Sequence, residues 1–166
     1  MKPLSSERQM FKVVLFEPEI PPNTGNIIRL CANSGCELHL IEPLGFSMDD
    51  RQLVRAGLDY KEFVDVRVHS SLDAFMNASR PSRTFALSTK GKSNYNCQTY
   101  QPGDTFIFGP ETRGLPDQVR ALFDVFRIPM RTNSRSLNLS NAVAIVIYEA
   151  LRQNKFDGID SLLDAI

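Results

Sequence analysis

The side chains best placed to do chemistry are two amides, a guanidinium, a carboxylate and a hydroxyl. Asn23 and Arg29 stand six residues apart across a predicted helix start, Glu111 sits in Gly109-Pro110-Glu111-Thr112-Arg113-Gly114-Leu115-Pro116, and Ser136 and Asn138 sit in Ser134-Arg135-Ser136-Leu137-Asn138-Leu139-Ser140-Asn141-Ala142. Between the last two stretches lies Ile128-Pro129-Met130. These types supply donors and acceptors for a bound polar group. Three polar, turn-rich loops ahead of one apolar helix are costly to bury unless something pairs with them. Taken singly, the loops also suit ordinary strand-to-helix connections. Glu111 could simply pair with Arg113 or Arg135, and Arg29, which falls off the apolar stripe of its helix, could be a solvated surface charge.

The elements that must position these residues follow from local pattern. Thr105-Phe106-Ile107-Phe108 has the length and β-propensity of a buried strand, so Gly109 opens a loop at a strand's carboxyl end, where open α/β sheets place ligands. Val125–Ile128 is a second such strand, and Pro129 stops it from continuing as a central ladder partner. Ser140 is the expected N-cap of the apolar run Ala142–Leu151, whose Val143, Ile145, Val146, Ile147, Tyr148 and Leu151 point all round and call for cover on more than one side. Upstream, Lys12–Phe16 reads as an interior strand of a parallel sheet. A loop with Pro18, Pro21 and Pro22 follows, then a helix from about Asn23–Gly25 with Gly35 as its stop. Strands are expected at Glu37–Ile41, Val64–Val68 and Arg83–Leu87, with helices at Arg51–Gly57 and Leu72–Ala78. Leu58-Asp59-Tyr60 packs or functions at a helix end. Ser88-Thr89-Lys90-Gly91-Lys92 is a polar exit loop after Leu87. The alternation predicts an α/β fold with a mostly parallel sheet covered by helices on both faces.

Bulk properties narrow the class. A chain of 166 residues suits one domain, placed at 11–156 between an extended or disordered segment 1–10 and a tail 157–166. Lys+Arg and Asp+Glu balance at 19 each, so no global basic field announces nucleic acid, and phosphate contacts would need a narrow patch or one shared between subunits. Cys31, Cys36 and Cys97 form no CxxC pair and read as reduced and structural. His39 and His69, 30 residues apart, read as separate strand-end histidines with no metal. No run approaches the length of a membrane span and the polar start lacks a signal-peptide core, which points to the cytoplasm. No two glycines are two residues apart, so the dinucleotide fingerprint GxGxxG is absent, and so is a Walker A loop.

In this order, the three stretches from Gly109 to Ala142, with Asn23 and Arg29, resemble the signature motifs of the SpoU branch of the SPOUT RNA methyltransferases. The likeness covers Phe11 to about Phe156. Glu17–Asn26 and Arg55-Ala56-Gly57-Leu58-Asp59-Tyr60 are similar to the tRNA (cytidine(34)-2′-O)-methyltransferase group within it. The resemblance implies a C-terminal trefoil knot, a homodimer and a tRNA anticodon stem-loop as substrate, with no metal. It implies S-adenosyl-L-methionine as methyl donor and S-adenosyl-L-homocysteine as product. The methyl acceptor is the ribose 2′-oxygen of cytidine or a modified uridine at the wobble position. The alternative is a SpoU-type enzyme acting on rRNA or another tRNA position. By the same resemblance Leu87, Thr89, Gly109, Ile128, Met130, Ser136 and Leu137 hold the cofactor, and Arg29, Asn23, Glu111, Ser136 and Asn138 act on the ribose. Arg29 stands as base or, since guanidinium stays protonated, as the cation that stabilises the alkoxide.

Overall fold

The computed structural model describes residues 10–56 and 66–159. Among them seven strands form one sheet in the order β3-β2-β1-β6-β4-β7-β5, and every pairing in it is parallel. The strands are β1 (Lys12–Phe16), β2 (Glu37–Ile41), β3 (Val66–His69), β4 (Thr84–Leu87), β5 (Ser93–Asn94), β6 (Thr105–Phe108) and β7 (Asp124–Arg127). The helices are α1 (Pro21–Ser34), α2 (Arg51–Arg55), α3 (Leu72–Ser79), α4 (Asp117–Arg120) and α5 (Leu139–Gln153), with a 3₁₀ turn at Tyr95–Cys97.

The central strands are apolar without alternation because both faces are buried. Val13 and Leu15 of β1, with Phe106 and Phe108 of β6, point to the side covered by α1, α2 and α5. Val14, Phe16 and Ile107 point to the other, under α3 and α4. Helices therefore cover both faces, as expected. Leu139, Val143, Val146, Ile147, Ala150 and Leu151 of α5 are buried in a stripe four, three and four residues apart. The sheet side thus covers one face of the helix, and on the other Asn141, Tyr148 and Arg152 are exposed and Ile145 is half-buried.

Local propensity also misplaced some boundaries. The N-cap of α5 is Asn138, whose side chain accepts from the Ser140 amide, and not Ser140 itself. Helix α1 begins at Pro21, because two prolines at its first positions cost no intrahelical donor. β7 begins at Asp124 and ends at Arg127, leaving Ile128 in the loop. Strand β5 and helix α4 went unrecognised in the sequence; with two and four residues they are too short for a period to register. Leu58-Asp59-Tyr60, the start of the expected strand at Val64, most of segment 1–10 and most of the 157–166 tail lie outside the described residues.

Cys31, Cys36 and Cys97 are all free thiols, and the first two are buried. The two histidines are not independent. His39 Nδ1 and His69 Nε2 lie 2.9 Å apart, and His39 Nε2 lies 3.2 Å from Glu37 Oε2. Parallel pairing of β2 and β3 sets Ile41 beside His69, one turn of the pleat from His39 on the same face. Phe75 from α3 closes over both rings, with centroids at 5.0 and 5.3 Å.

Candidate active site

The exit loops of β4, β6 and β7 converge at the carboxyl ends of their strands. Together with the start of α5 and the first turn of α1, they enclose a cleft of about 440 Å³. Leu87 and Thr89 line it from β4, Gly109 and Glu111 from β6, Ile128 and Met130 from β7, Ser136, Leu137 and Asn138 from the α5 approach, and Asn23 from α1. Ten of the eleven residues singled out in the sequence thus share one concavity. Arg29 is exposed on α1 and is not part of the lining.

Glu111 ties the cleft together, and not through the arginines considered as partners. Its Oε2 accepts the Glu19 amide at 2.8 Å, and its Oε1 accepts the Ile20 amide at 3.0 Å and Asn23 Nδ2 at 3.3 Å. A carboxylate only accepts, so Asn23 must present its nitrogen to Glu111 and its oxygen elsewhere. That oxygen accepts Asn138 Nδ2 at 2.9 Å. The carbonyl oxygen of Asn138 then faces α5 and accepts the Ser140 amide at 2.9 Å and the Ser140 hydroxyl at 2.6 Å. One polar chain thus links three segments and fixes every amide orientation along it. Sequence separations of 88 and 115 residues are bridged in this way.

Glu19 returns the contact that Glu111 makes to it. The Thr112 hydroxyl donates to Glu19 Oε2 at 2.8 Å and the Thr112 amide to Oε1 at 3.4 Å. Arg113 lies 3.1 Å from Glu17 and 3.6 Å from Glu19. The Thr112 bond, followed by Arg113, outweighs slight desolvation and holds the Glu19 carboxyl below its usual range. Nothing local in the sequence marks Glu19 and Thr112 as partners, and they were not singled out. The one available signal is a loop stiffened by Pro18, Pro21 and Pro22, which suggests a fixed conformation but no partner.

Gly109 is required by its own loop. A Cβ there would fall 2.3 Å from the Leu115 amide nitrogen and 2.5 Å from the Gly114 carbonyl carbon, because the loop folds back on itself through Gly114 at φ 67°. No side chain fits. Among the described residues, no group of three His, Cys, Asp or Glu side chains is placed to hold a metal ion, and no helix is long and apolar enough to cross a membrane.

Comparison with known proteins places this arrangement. Residues 10–148 match the model of the SpoU rRNA Methylase family. The chain is 56% identical over 152 residues to a tRNA (cytidine(34)-2′-O)-methyltransferase of Escherichia coli, covering 90% of this chain and 97% of the relative. It is 59% identical over 152 residues to a protein of the same name from Saccharophagus degradans, covering 90% and 99%. A solved structure described as giving insight into the 2-OH methylation of C/U34 on tRNA superposes with a TM-score of 0.84 at 47% identity, covering 89% of this chain and 98% of that one. The fold is shared, at 24% identity and a TM-score of 0.80, with the SpoU methyltransferase AviRb of Streptomyces viridochromogenes in complex with AdoMet, covering 91% of this chain and 60% of that one.

Proposed function

The chain belongs to the SpoU rRNA methylase family, and from that premise we propose that it methylates the ribose 2′-oxygen of nucleotide 34, cytidine or a modified uridine, in tRNA, with S-adenosyl-L-methionine as donor. The observation that carries this reading is the single cleft gathering ten separately chosen residues, in a chain more than half identical over 90% of its length to enzymes named for that reaction.

The cleft suits the donor. Leu87 is buried and Ile128 half-buried on one side, while Leu137 and Met130 keep 39% and 38% of their surface exposed, as a flat heteroaromatic ring would require of its neighbours. Thr89 and the loop amides offer partners for ribose hydroxyls. When bound, S-adenosyl-L-methionine supplies an electrophilic methyl group on a sulfonium, so the acceptor oxygen needs only placement and loss of its proton. Asn23 and Asn138, oriented through Glu111, and Ser136 hold the acceptor ribose. Arg29, on the exposed side of α1, meets the substrate from outside the cleft, as base or as the cation beside the developing alkoxide.

The reading extends to a C-terminal trefoil knot and a cytoplasmic homodimer. The sheet order supports the first, since the late strands β6 and β7 are each inserted between earlier ones. Exposed Tyr148 and half-buried Ile145 on the outward side of α5 support the second. Residues 11–156 form the catalytic domain in this view.

Incubating the purified chain with bulk tRNA, rRNA and the labelled donor, then mapping modified nucleosides by mass spectrometry, tests the assignment. The expected product is 2′-O-methylation at position 34 of tRNA. Label confined to rRNA, or to another tRNA position, would overturn the substrate while keeping the chemistry.

A further inference from the structure

The neutral net charge conceals a strict segregation. Residues 84–103 and 125–148 contain Lys90, Lys92, Arg127, Arg131 and Arg135 and no Asp or Glu. Removing these five from the 19 Lys and Arg leaves 14 against 19 carboxylates in the rest of the chain. The two acid-free stretches are neighbours in space, because β4 and β7 pair in register and β7 pairs with β5. Their exit loops form one rim of the cleft. Thr89 lines it next to Lys90, Met130 next to Arg131, and Ser136 next to Arg135.

All five cations are exposed. None of them makes an ion pair with another described residue. On the opposite rim the charges are already spoken for: Glu17 and Glu19 hold Arg113, and Glu111 takes two backbone amides. Gly91 seats the Lys90–Lys92 loop directly on β7, since a Cβ there would lie 2.5 Å from the Phe126 carbonyl carbon. Lys90 and Lys92 therefore stand on a fixed frame.

Resting on the function proposed above, we infer that the β4 and β7 exit loops are the RNA-backbone platform of this enzyme. Lys90, Lys92, Arg131 and Arg135 bind phosphates flanking the nucleotide whose ribose enters the cleft. A polyanion with regularly spaced charges matches cations spread over two loops, and the adjoining cleft admits one nucleotide of the same strand. An anionic membrane would instead favour an amphipathic helix with apolar residues beside the cations. Such contacts fix register and carry no base information. Each phosphate neutralised on a single strand contributes roughly 0.7 to the slope of log affinity against log salt.

The test uses the full chain with a tRNA that the unaltered protein methylates, and compares it with Lys90→Ala/Lys92→Ala and Arg131→Ala/Arg135→Ala. Each double variant should raise the KM for tRNA about tenfold, or about 1.4 kcal/mol, and lower the salt slope by roughly 1.4 for two lost phosphate contacts. The dissociation constant for the methyl donor and the melting temperature should stay at the unaltered values. Lys90→Arg/Lys92→Arg should restore the slope. Unchanged KM and slope in both double variants would overturn the platform while leaving the enzyme's assignment intact. Failure of the unaltered chain to methylate any tRNA, with tRNA affinity independent of the four cations, would overturn both.

Discussion

Two polar clusters in this molecule look alike in composition and behave differently. One is the cleft chain of Glu111, Asn23 and Asn138, with Glu19 and Thr112 returning the grip. The other is the pair His39 and His69 with Glu37 under Phe75. In the first, ionised carboxylates accept from amides and a hydroxyl, groups that do not titrate in the working range, so each donor has one assignment. In the second, two imidazoles face each other nitrogen to nitrogen. Glu37 must accept from His39 Nε2, so neutral His39 offers a lone pair at Nδ1 and His69 Nε2 must donate to it. One added proton can be held between the rings and Glu37; a second puts two N–H groups face to face. The cleft chain sits at strand ends beside open space, whereas the histidine pair is packed against a fully buried phenylalanine. A polar cluster assembled from distant segments is thus no sign of a site by itself. What distinguishes the site is that Glu111, Asn23 and Asn138 all line one cleft of about 440 Å³, whereas in the histidine cluster only Glu37 borders a cavity, a smaller one of about 280 Å³.

The largest test of this contrast is Phe75→Ala, expected to cost about 3–5 kcal/mol of stability by leaving a cavity over both imidazoles. KM and kcat should stay unchanged below the new melting transition; urea denaturation and steady-state kinetics measure the two. Glu111→Ala should do the reverse, lowering kcat about 10²- to 10³-fold by releasing Asn23 and the Glu19–Ile20 amides, with a stability loss of only about 1–3 kcal/mol. A kcat within a factor of two of the unaltered enzyme would remove Glu111 from the machinery. Gln at this position should rescue poorly, because one of its two atoms would present N–H to a donor.

Acid separates the clusters next. Burial, ahead of the opposing pull of Glu37, pushes His39 down to about 4 from its ordinary 6.5, and His69 shifts in the same direction. The unfolded chain then binds more protons than the folded one between these values. Stability is full above about pH 6.5 and falls as pH drops toward 4, by up to about 3 kcal/mol for His39. Glu19, also lowered, adds its loss only below about pH 4.5. Thermal melts across this range should show a slope that His39→Gln flattens and Glu19→Ala leaves alone. The smallest expected effect is that of Glu19→Ala, about a tenfold fall in kcat with little change in KM. Thr112→Val should match it, and the double variant should be no worse than either single one, because both remove one contact.

How much was legible in the sequence follows the same divide. Gly109, Pro129 and the strand before each were readable because turns and strand ends are written in adjacent residues. Thr89, Ile128 and Leu137 followed from the resemblance, and the fold brought them together. The grip of Glu19 on Thr112 was not readable, since its partners lie 93 residues apart and the motif stretches that hold them say nothing of their pairing. Expecting Ser140 as the N-cap missed a related tie: the Asn138 amide that caps α5 through the Ser140 amide also donates to Asn23, 115 residues away. The histidine pair depended on strand register between β2 and β3, which composition leaves open.

Asn138 has two masters. Its carbonyl oxygen starts a 15-residue helix while its nitrogen reaches across to Asn23. Warming that frays the first turn of α5 must therefore loosen the bond to Asn23 in the same motion, and with it the hold on the acceptor sugar proposed for this pair. Catalytic decay should accordingly set in at temperatures where the bulk of the sheet is still intact.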